Sequence, residues 1–238
     1  MSKVVLLSSD ATVPDGAEQM KFRLIYDGPL QPSQRDPEHG QEDPLAIHKQ
    51  KIRKVFHGQL KRLWETHPFL STYMVHPQNH HNTSVPDGFF RTGPDPSKMV
   101  LLRDFLPNLY QENGYRFLPL VREEWSLMCG LDILFLRRDR PGSAIQAGDI
   151  DNRIKTLIDA LRKPKDGNEL RGHEKPDANE DPFYVLMEDD KQVSSFTVET
   201  DDLLDPIELI EADNRRARVI VTVTIRPYYV TNFNLSFL

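Results

Sequence analysis

Gly148-Asp149-Ile150-Asp151-Asn152-Arg153-Ile154-Lys155 opens the segment around which the chain is organised. Ile154, Leu157, Ile158 and Leu161 recur at the i, i+3, i+4, i+7 spacing of a helix with one buried stripe. That spacing predicts a helix over 152–163, with Asp151 placed to cap it. At about 100° per residue, Asp151, Lys155, Asp159 and Arg162 fall on a neighbouring stripe, so carboxylate and ammonium project from one edge. Two readings of the Asp-x-Asp pair stay open. One Asp caps the helix while the other forms a turn, or both supply oxygens to a divalent cation. Lys155 can form an i, i+4 pair with Asp151 or Asp159, worth a few tenths of a kcal/mol, or balance charge at a bound phosphate; these roles are compatible. An EF-hand is excluded, because its glycine and closing glutamate are missing at their offsets from Asp149. The Asp-x-Asp of nucleotide-sugar transferases normally accompanies a nucleotide-binding α/β half, and none is legible here.

Upstream of the motif, Trp125, Leu127, Cys129, Leu131, Ile133 and Phe135 alternate as a long strand over 125–136, and the even positions turn apolar towards its end. Its C-terminal half is therefore expected to be covered on both faces. Arg137, Arg138 and Arg140 follow. Downstream, 163–182 is rich in Pro, Gly and charge and reads as a mobile loop. An apolar run over 183–187 then leads into Glu188-Asp189-Asp190, a strand over 193–198, and a last alternating strand over 217–225.

Towards the N-terminus, 8–20 reads as a loose arm and 21–26 as a half-buried strand. A helix over 46–65 carries Lys49, Lys51, Arg53, Lys54, Lys61 and Arg62 with no acid among them. Such a face is either a solvated surface or a set of phosphate contacts. Residues 67–119 show only short apolar pieces among scattered Pro and Gly, the pattern of an insertion or flap. His76, His80 and His81 lack a cysteine or second paired motif nearby, so a solvated loop is expected over a zinc site.

The chain of 238 residues has a net charge of -6, which taken alone argues against a polyanionic partner. The charge is segregated, however: basic over 49–62 and acidic over 180–213. A single cysteine, Cys129, excludes an intrachain disulfide and is expected to be buried. Val4 to Leu7 is too short for the apolar core of a secretory signal, and no run reaches spanning length, so a cytoplasmic protein with no membrane association is expected.

The motif, with Asp159-Ala160-Leu161 and then Asp189-Asp190-Lys191-Gln192-Val193, resembles the RusA family of Holliday-junction resolvases, which are crossover junction endodeoxyribonucleases. That family carries an Asp-hydrophobic-Asp-Asn element, a lysine four residues after the second Asp, an Asp-Ala-Leu in the same helix, and a later Asp-Asp-x-x-Val before a strand. The resemblance is specific over Leu127 to Val198, and weaker but collinear for the first strand, the long helix and the last strand. It departs in the longer segment between Leu161 and Asp189, in 67–119, and in the family's Pro-Pro-Ser-x-Asn loop, reduced here to Gln31-Pro32-Ser33-Gln34-Arg35.

What the resemblance implies is a single α+β domain over 1–238. A mixed β-sheet would be built from strands near 21–26, 125–136, 193–198 and 217–225, with helices near 46–65 and 152–163 packed on it. Asp149, Asp151, Asp190 and Lys155 become the catalytic residues. Mg²⁺, or Mn²⁺ in its place, would be held by Asp149, Asp151 and Asp190 with Asp189 in support. The expected protein is a bacterial or phage-encoded homodimer that hydrolyses branched DNA, above all four-way junctions, in recombination and repair. Arg53, Lys54, Lys61, Arg62, Arg137, Arg138 and Arg140 are the candidate DNA-binding residues. The alternatives are a nuclease of the same fold acting on other branched or flapped DNA, and a non-catalytic structure-specific DNA-binding protein.

Overall fold

The alternating segments assemble into one mixed sheet. A computed structural model of the chain describes residues 19–33, 45–77, 96–137, 148–204, 216–231, 234 and 237. In chain order the elements are β1 (Lys21–Pro29), α1 (Ala46–Thr66), α2 (Pro68–Thr72), β2 (Met74–Val75), β3 (Val100–Leu101), α3 (Leu102–Phe105), β4 (Gln111–Glu112) and β5 (Tyr115–Val121). β6 (Leu127–Arg137), α4 (Gly148–Leu161), β7 (Phe183–Met187), β8 (Val193–Asp202) and β9 (Arg216–Pro227) follow. The four strands expected from alternation form one sheet in the order β1-β9-β6-β8. β9 runs antiparallel to β1 and β6, and β8 runs parallel to β6. The fold is α+β.

One face of this sheet is the core. Leu131, Ile133 and Phe135 of β6 and Val219, Val221, Val223 and Ile225 of β9 are buried, as is Cys129. α1 covers them with Ile52, Phe56, Leu60 and Trp64, and α4 with Ile154, Leu157 and Leu161. The other face of β6 is not covered by a second layer. Asp132 is exposed there, and Leu134 and Leu136 are only half-buried, shielded by Ile220 and Arg218 across the β9 register. This corrects the expectation of cover on both faces. β1 is an edge strand, and Gln59 of α1 closes part of that edge by accepting from Ile25 N at 2.8 Å and donating to its carbonyl at 2.7 Å.

A second sheet, β4-β5-β7, was not legible in advance. β5 and β7 are parallel and almost wholly buried, so they carry no alternation. Pro119 stands inside β5, but β4 pairs only with Tyr115 and Arg116, which leaves the Pro119 side of the strand an open edge where no N–H is needed. The 67–119 region expected as an insertion thus supplies a strand, and Leu70, Val75, Leu102 and Leu106 to the main core. Residues 78–95, with His80 and His81, lie outside the described residues, as does 8–18 of the loose arm expected over 8–20; at its end Met20 is instead buried in the core, its carbonyl accepting from Ile225 N at 2.9 Å.

Residues 163–182 are irregular apart from one 3-10 turn at Gly167–Leu170, yet firmly tied down. Leu170 packs with Phe117 and Phe183, the Tyr115 hydroxyl stands 2.9 Å from the carbonyls of both His173 and Lys175, and Glu180 is buried. Three of its acids pair with α1: Glu169 lies 3.8 Å from Arg53, and Asp177 and Glu180 lie 2.7 and 2.9 Å from Lys54. No helix among the described residues is long and apolar enough to cross a membrane.

Candidate functional site

α4 begins at Gly148, a turn earlier than expected, so Asp151 stands within the helix rather than at its cap. Its carboxylate is exposed, and among the described residues it has neither a hydrogen-bond nor an ion-pair partner. The same holds for Lys155, one turn on. Neither i, i+4 pair considered for that lysine is formed. The shortened Gln31-Pro32-Ser33 loop reaches this motif, with Ser33 N donating to the Asn152 carbonyl at 3.1 Å. The side chain of Asp149 lies outside the described residues.

Asp159, on the same edge of the helix, has a different role. It is buried and accepts from Lys49 Nζ at 2.7 Å, with Arg162 3.4 Å away. Arg162 in turn reaches both oxygens of Glu169, at 2.8 and 3.0 Å. Arg53 donates to the carbonyls of Asp159 and Arg162 at 3.0 and 3.1 Å, and lies 3.8 Å from Glu169. Three cations and two carboxylates are thus interlocked between α1, α4 and the 163–182 segment. Burial works against the charge on Arg162, but Glu169, Asp159 and Asp190 outweigh it and raise its pKa above the ordinary value.

Asp190 arrives from the other side. β7 ends beside the end of α4, where Lys163 N donates to the Met187 carbonyl at 2.8 Å. From there Asp189 caps a 3-10 turn at Asp190–Gln192, its carboxylate accepting from Lys191 N at 3.0 Å. Gln192 closes the turn by accepting from Glu188 N and Asp189 N at 3.0 and 3.1 Å. The Asp189 carboxyl is held below its usual value by the Lys191 N–H, against some desolvation, with help from a bond to the Asp190 carboxyl and from Lys165. Asp189, expected to support a cation, is therefore committed to fixing the turn that carries Asp190. The Asp190 carboxylate itself is open to solvent, with Lys165 Nζ at 3.8 Å.

These pieces meet along one groove of about 470 Å³ between α4 and β8. Asp151, Lys155, Asp159 and Asp190 supply its charges. Ile150, Ile154 and Ile158 form one apolar wall, and Val193, Phe196 and Val198 the other. Asp190 enters near the C-terminal end of α4, as its pairing with Lys165 indicates. Asp151 lies about 12 Å along the helix axis from Asp159, at 1.5 Å per residue. Of the expected catalytic set, Asp151, Lys155 and Asp190 thus line one groove. Among the described residues no group of three or more His, Cys, Asp or Glu side chains is gathered to hold a metal ion. The available donors are all carboxylate oxygens open to solvent, the chemistry suited to Mg²⁺, which keeps several waters and needs only one or two carboxylates beside substrate phosphates.

The basic residues are scattered. Arg53 and Arg137 are buried, so neither presents a guanidinium to a nucleic-acid surface. Lys54 is paired with Asp177 at 2.7 Å and Glu180 at 2.9 Å. Lys61 is half-buried, Arg62 is exposed, and Arg138 and Arg140 lie outside the described residues. The basic run of α1 is thus divided: Lys49, Arg53 and Lys54 meet acids of α4 and 163–182, whereas Lys51 and Arg62 are exposed and Lys61 is half-buried.

Sequence reasoning overlooked Phe196, which is 56% exposed in the groove. The spacing of Val193, Phe196 and Val198 breaks strict alternation, and that break is the signal of a β-bulge. Cys129 pairs with Val193 and Gly130 with Ser195, leaving Ser194 as the extra residue that brings all three side chains to one face. No protein-family model, no curated protein and no solved structure matches the chain.

Proposed function

We propose that the chain is a Mg²⁺-dependent endodeoxyribonuclease of the RusA type, which nicks four-way DNA junctions by hydrolysing phosphodiester bonds at the α4–β8 groove. The observation that carries this reading is that Asp190, from the turn before β8, lines the same solvent-open groove as Asp151 and Lys155 of α4. Asp151 and Lys155 are exposed charges of opposite sign one helical turn apart that no group among the described residues engages, so both are free to meet a ligand.

In this reading Asp149 and Asp151 would hold the cation at the N-terminal end of α4, Asp190 would reach it from the far end of the groove when substrate draws the two ends together, and Asp189 aims Asp190 through the capped turn. The cation, when bound, supplies an activated water and a Lewis acid for the phosphate. Lys155 places its ammonium against the phosphate oxygens where negative charge builds, a contribution that grows as water is excluded. Lys165 screens Asp190 and is positioned to turn to phosphate when that carboxylate is occupied. A homodimer with two-fold symmetry would present two such grooves to the two matched strands of a junction.

The test is to incubate the protein with four-way junction, flap and linear duplex DNA in Mg²⁺ or EDTA. Paired symmetric nicks on the junction alone, in Mg²⁺ alone, support the reading. Cleavage of flaps in preference would shift the substrate to other branched DNA, and binding without any cleavage would leave a structure-specific DNA-binding protein.

A further inference from the structure

Most of the groove wall is not chemistry that a phosphate backbone can use. Thr197 donates to Asp132 at 2.8 Å on the outer face of the sheet, so Phe196 and Val198 stand on the opposite face, in register with the core residues Leu131 and Ile133. Phe196 therefore occupies a core-side position, yet it is 56% exposed because α4 does not extend over the edge strand. Ile150, Ile154 and Ile158 line the facing wall. The cavity falls in the size range of sites for small apolar ligands, with a few charged groups along it.

We propose that this groove seats one unstacked nucleobase, that of the nucleotide beside the phosphate addressed by Asp151, Lys155 and Asp190, with Phe196 as the face on which it stacks. The proposal rests on the nuclease reading and names the part of the substrate that the apolar walls recognise. A nucleotide has the required parts in adjacency: a flat apolar base and an anionic phosphate for Lys155. In a continuous duplex both base faces are stacked, so the occupant comes from a branch point or single strand, where a base can leave the stack at little cost. The alternative occupant, the same groove of a second copy, would bring the exposed carboxylates Asp151 and Asp190 against carboxylates of its counterpart, and that like-charge meeting disfavours it.

The experiment is a chemical double-mutant cycle. Binding of wild type and Phe196→Ala to a labelled four-way junction is measured in EDTA, with an abasic residue stepped one nucleotide at a time on either side of the branch point. Phe196→Ala is expected to weaken binding of the intact junction roughly 5- to 150-fold. At one position the abasic lesion should weaken wild type to the same degree and leave Phe196→Ala unchanged. Phe196→Trp, which keeps an aromatic face, should bind within a few fold of wild type, and Phe196→Leu should not. Losses that simply multiply at every position overturn the proposal, as does failure to bind any of these DNAs. So does a fall from dimer to monomer in Phe196→Ala by sedimentation, which would make the groove a contact between copies. Coupling in the cycle without Mg²⁺-dependent nicks by wild type would support the base seat and sink the nuclease reading, so the two fail separately. An unchanged melting temperature confirms that Phe196→Ala is folded.

Discussion

Lys49 Nζ stands 2.7 Å from Asp159 Oδ2, with both side chains more than nine-tenths buried. This pair ties α1 to α4 behind the groove and separates two carboxylates that the helical wheel places on one edge. Asp159 holds the scaffold, whereas Asp151 is left free for a ligand.

Asp159→Asn should therefore destabilise the protein by about 3–5 kcal/mol, because Lys49 and Arg162 would lose the charge that compensates their burial. Asp151→Asn, at an exposed position, should stay within about 0.5 kcal/mol of wild type without metal. Denaturant unfolding of the two variants checks this, and equal costs would contradict the division of roles.

Mg²⁺ should raise the melting temperature of wild type. At a hundredfold excess over its dissociation constant the gain is about 2.7 kcal/mol, or roughly 5–10 °C for a chain of this size. The gain should vanish in Asp151→Asn and Asp190→Asn but persist in Asp189→Ser, which retains a capping oxygen. Thermal melts with and without the ion give the answer.

His57 bridges α1 and β7: its Nδ1 accepts from Tyr184 N at 2.9 Å, and its Nε2 lies 3.3 Å from the Asn179 carbonyl. Burial pushes its pKa below the ordinary 6.5, with the Asn179 carbonyl opposing. The unfolded chain then takes up the proton first as pH falls, so stability is full above about 6.5 and declines below it, down to the folded-state pKa. His48, which accepts from Gln31 N at 3.1 Å and is likewise depressed by burial, acts in the same direction. Unfolding free energies between pH 5 and 8 should show this fall, and His57→Gln should flatten part of it.

The main sheet was legible because β1, β6 and β9 each bury one face, so their apolar residues alternate. α4 was legible because Ile154, Leu157 and Leu161 face the core in a single stripe. β5 was not, because Phe117, Leu118, Leu120 and Val121 are buried on both sides and a continuous apolar run has no period to read. Arg53 and Lys54 misled for a related reason. Their counter-charges, Glu169 and Glu180, lie more than a hundred residues away, so a basic run that looks solvated is neutralised internally. In the candidate site, the order of Asp151, Lys155 and Asp190 was legible, while the path that brings Asp190 to the groove depends on the Asp189 capping box and the anchoring of 163–182. Phe196 was hidden by the one-residue bulge at Ser194.

The central claim is that Asp151 and Asp190 act as one site, and the nicking rate of a four-way junction in Mg²⁺ tests it most directly. Residues that act as a unit lose function together rather than additively. Asp151→Asn, Asp190→Asn and the double variant should all fall by the same factor, on the order of a hundredfold or more, with two-fold-related nicks in wild type. An Asp190→Asn protein that nicks junctions at the wild-type rate would contradict the account.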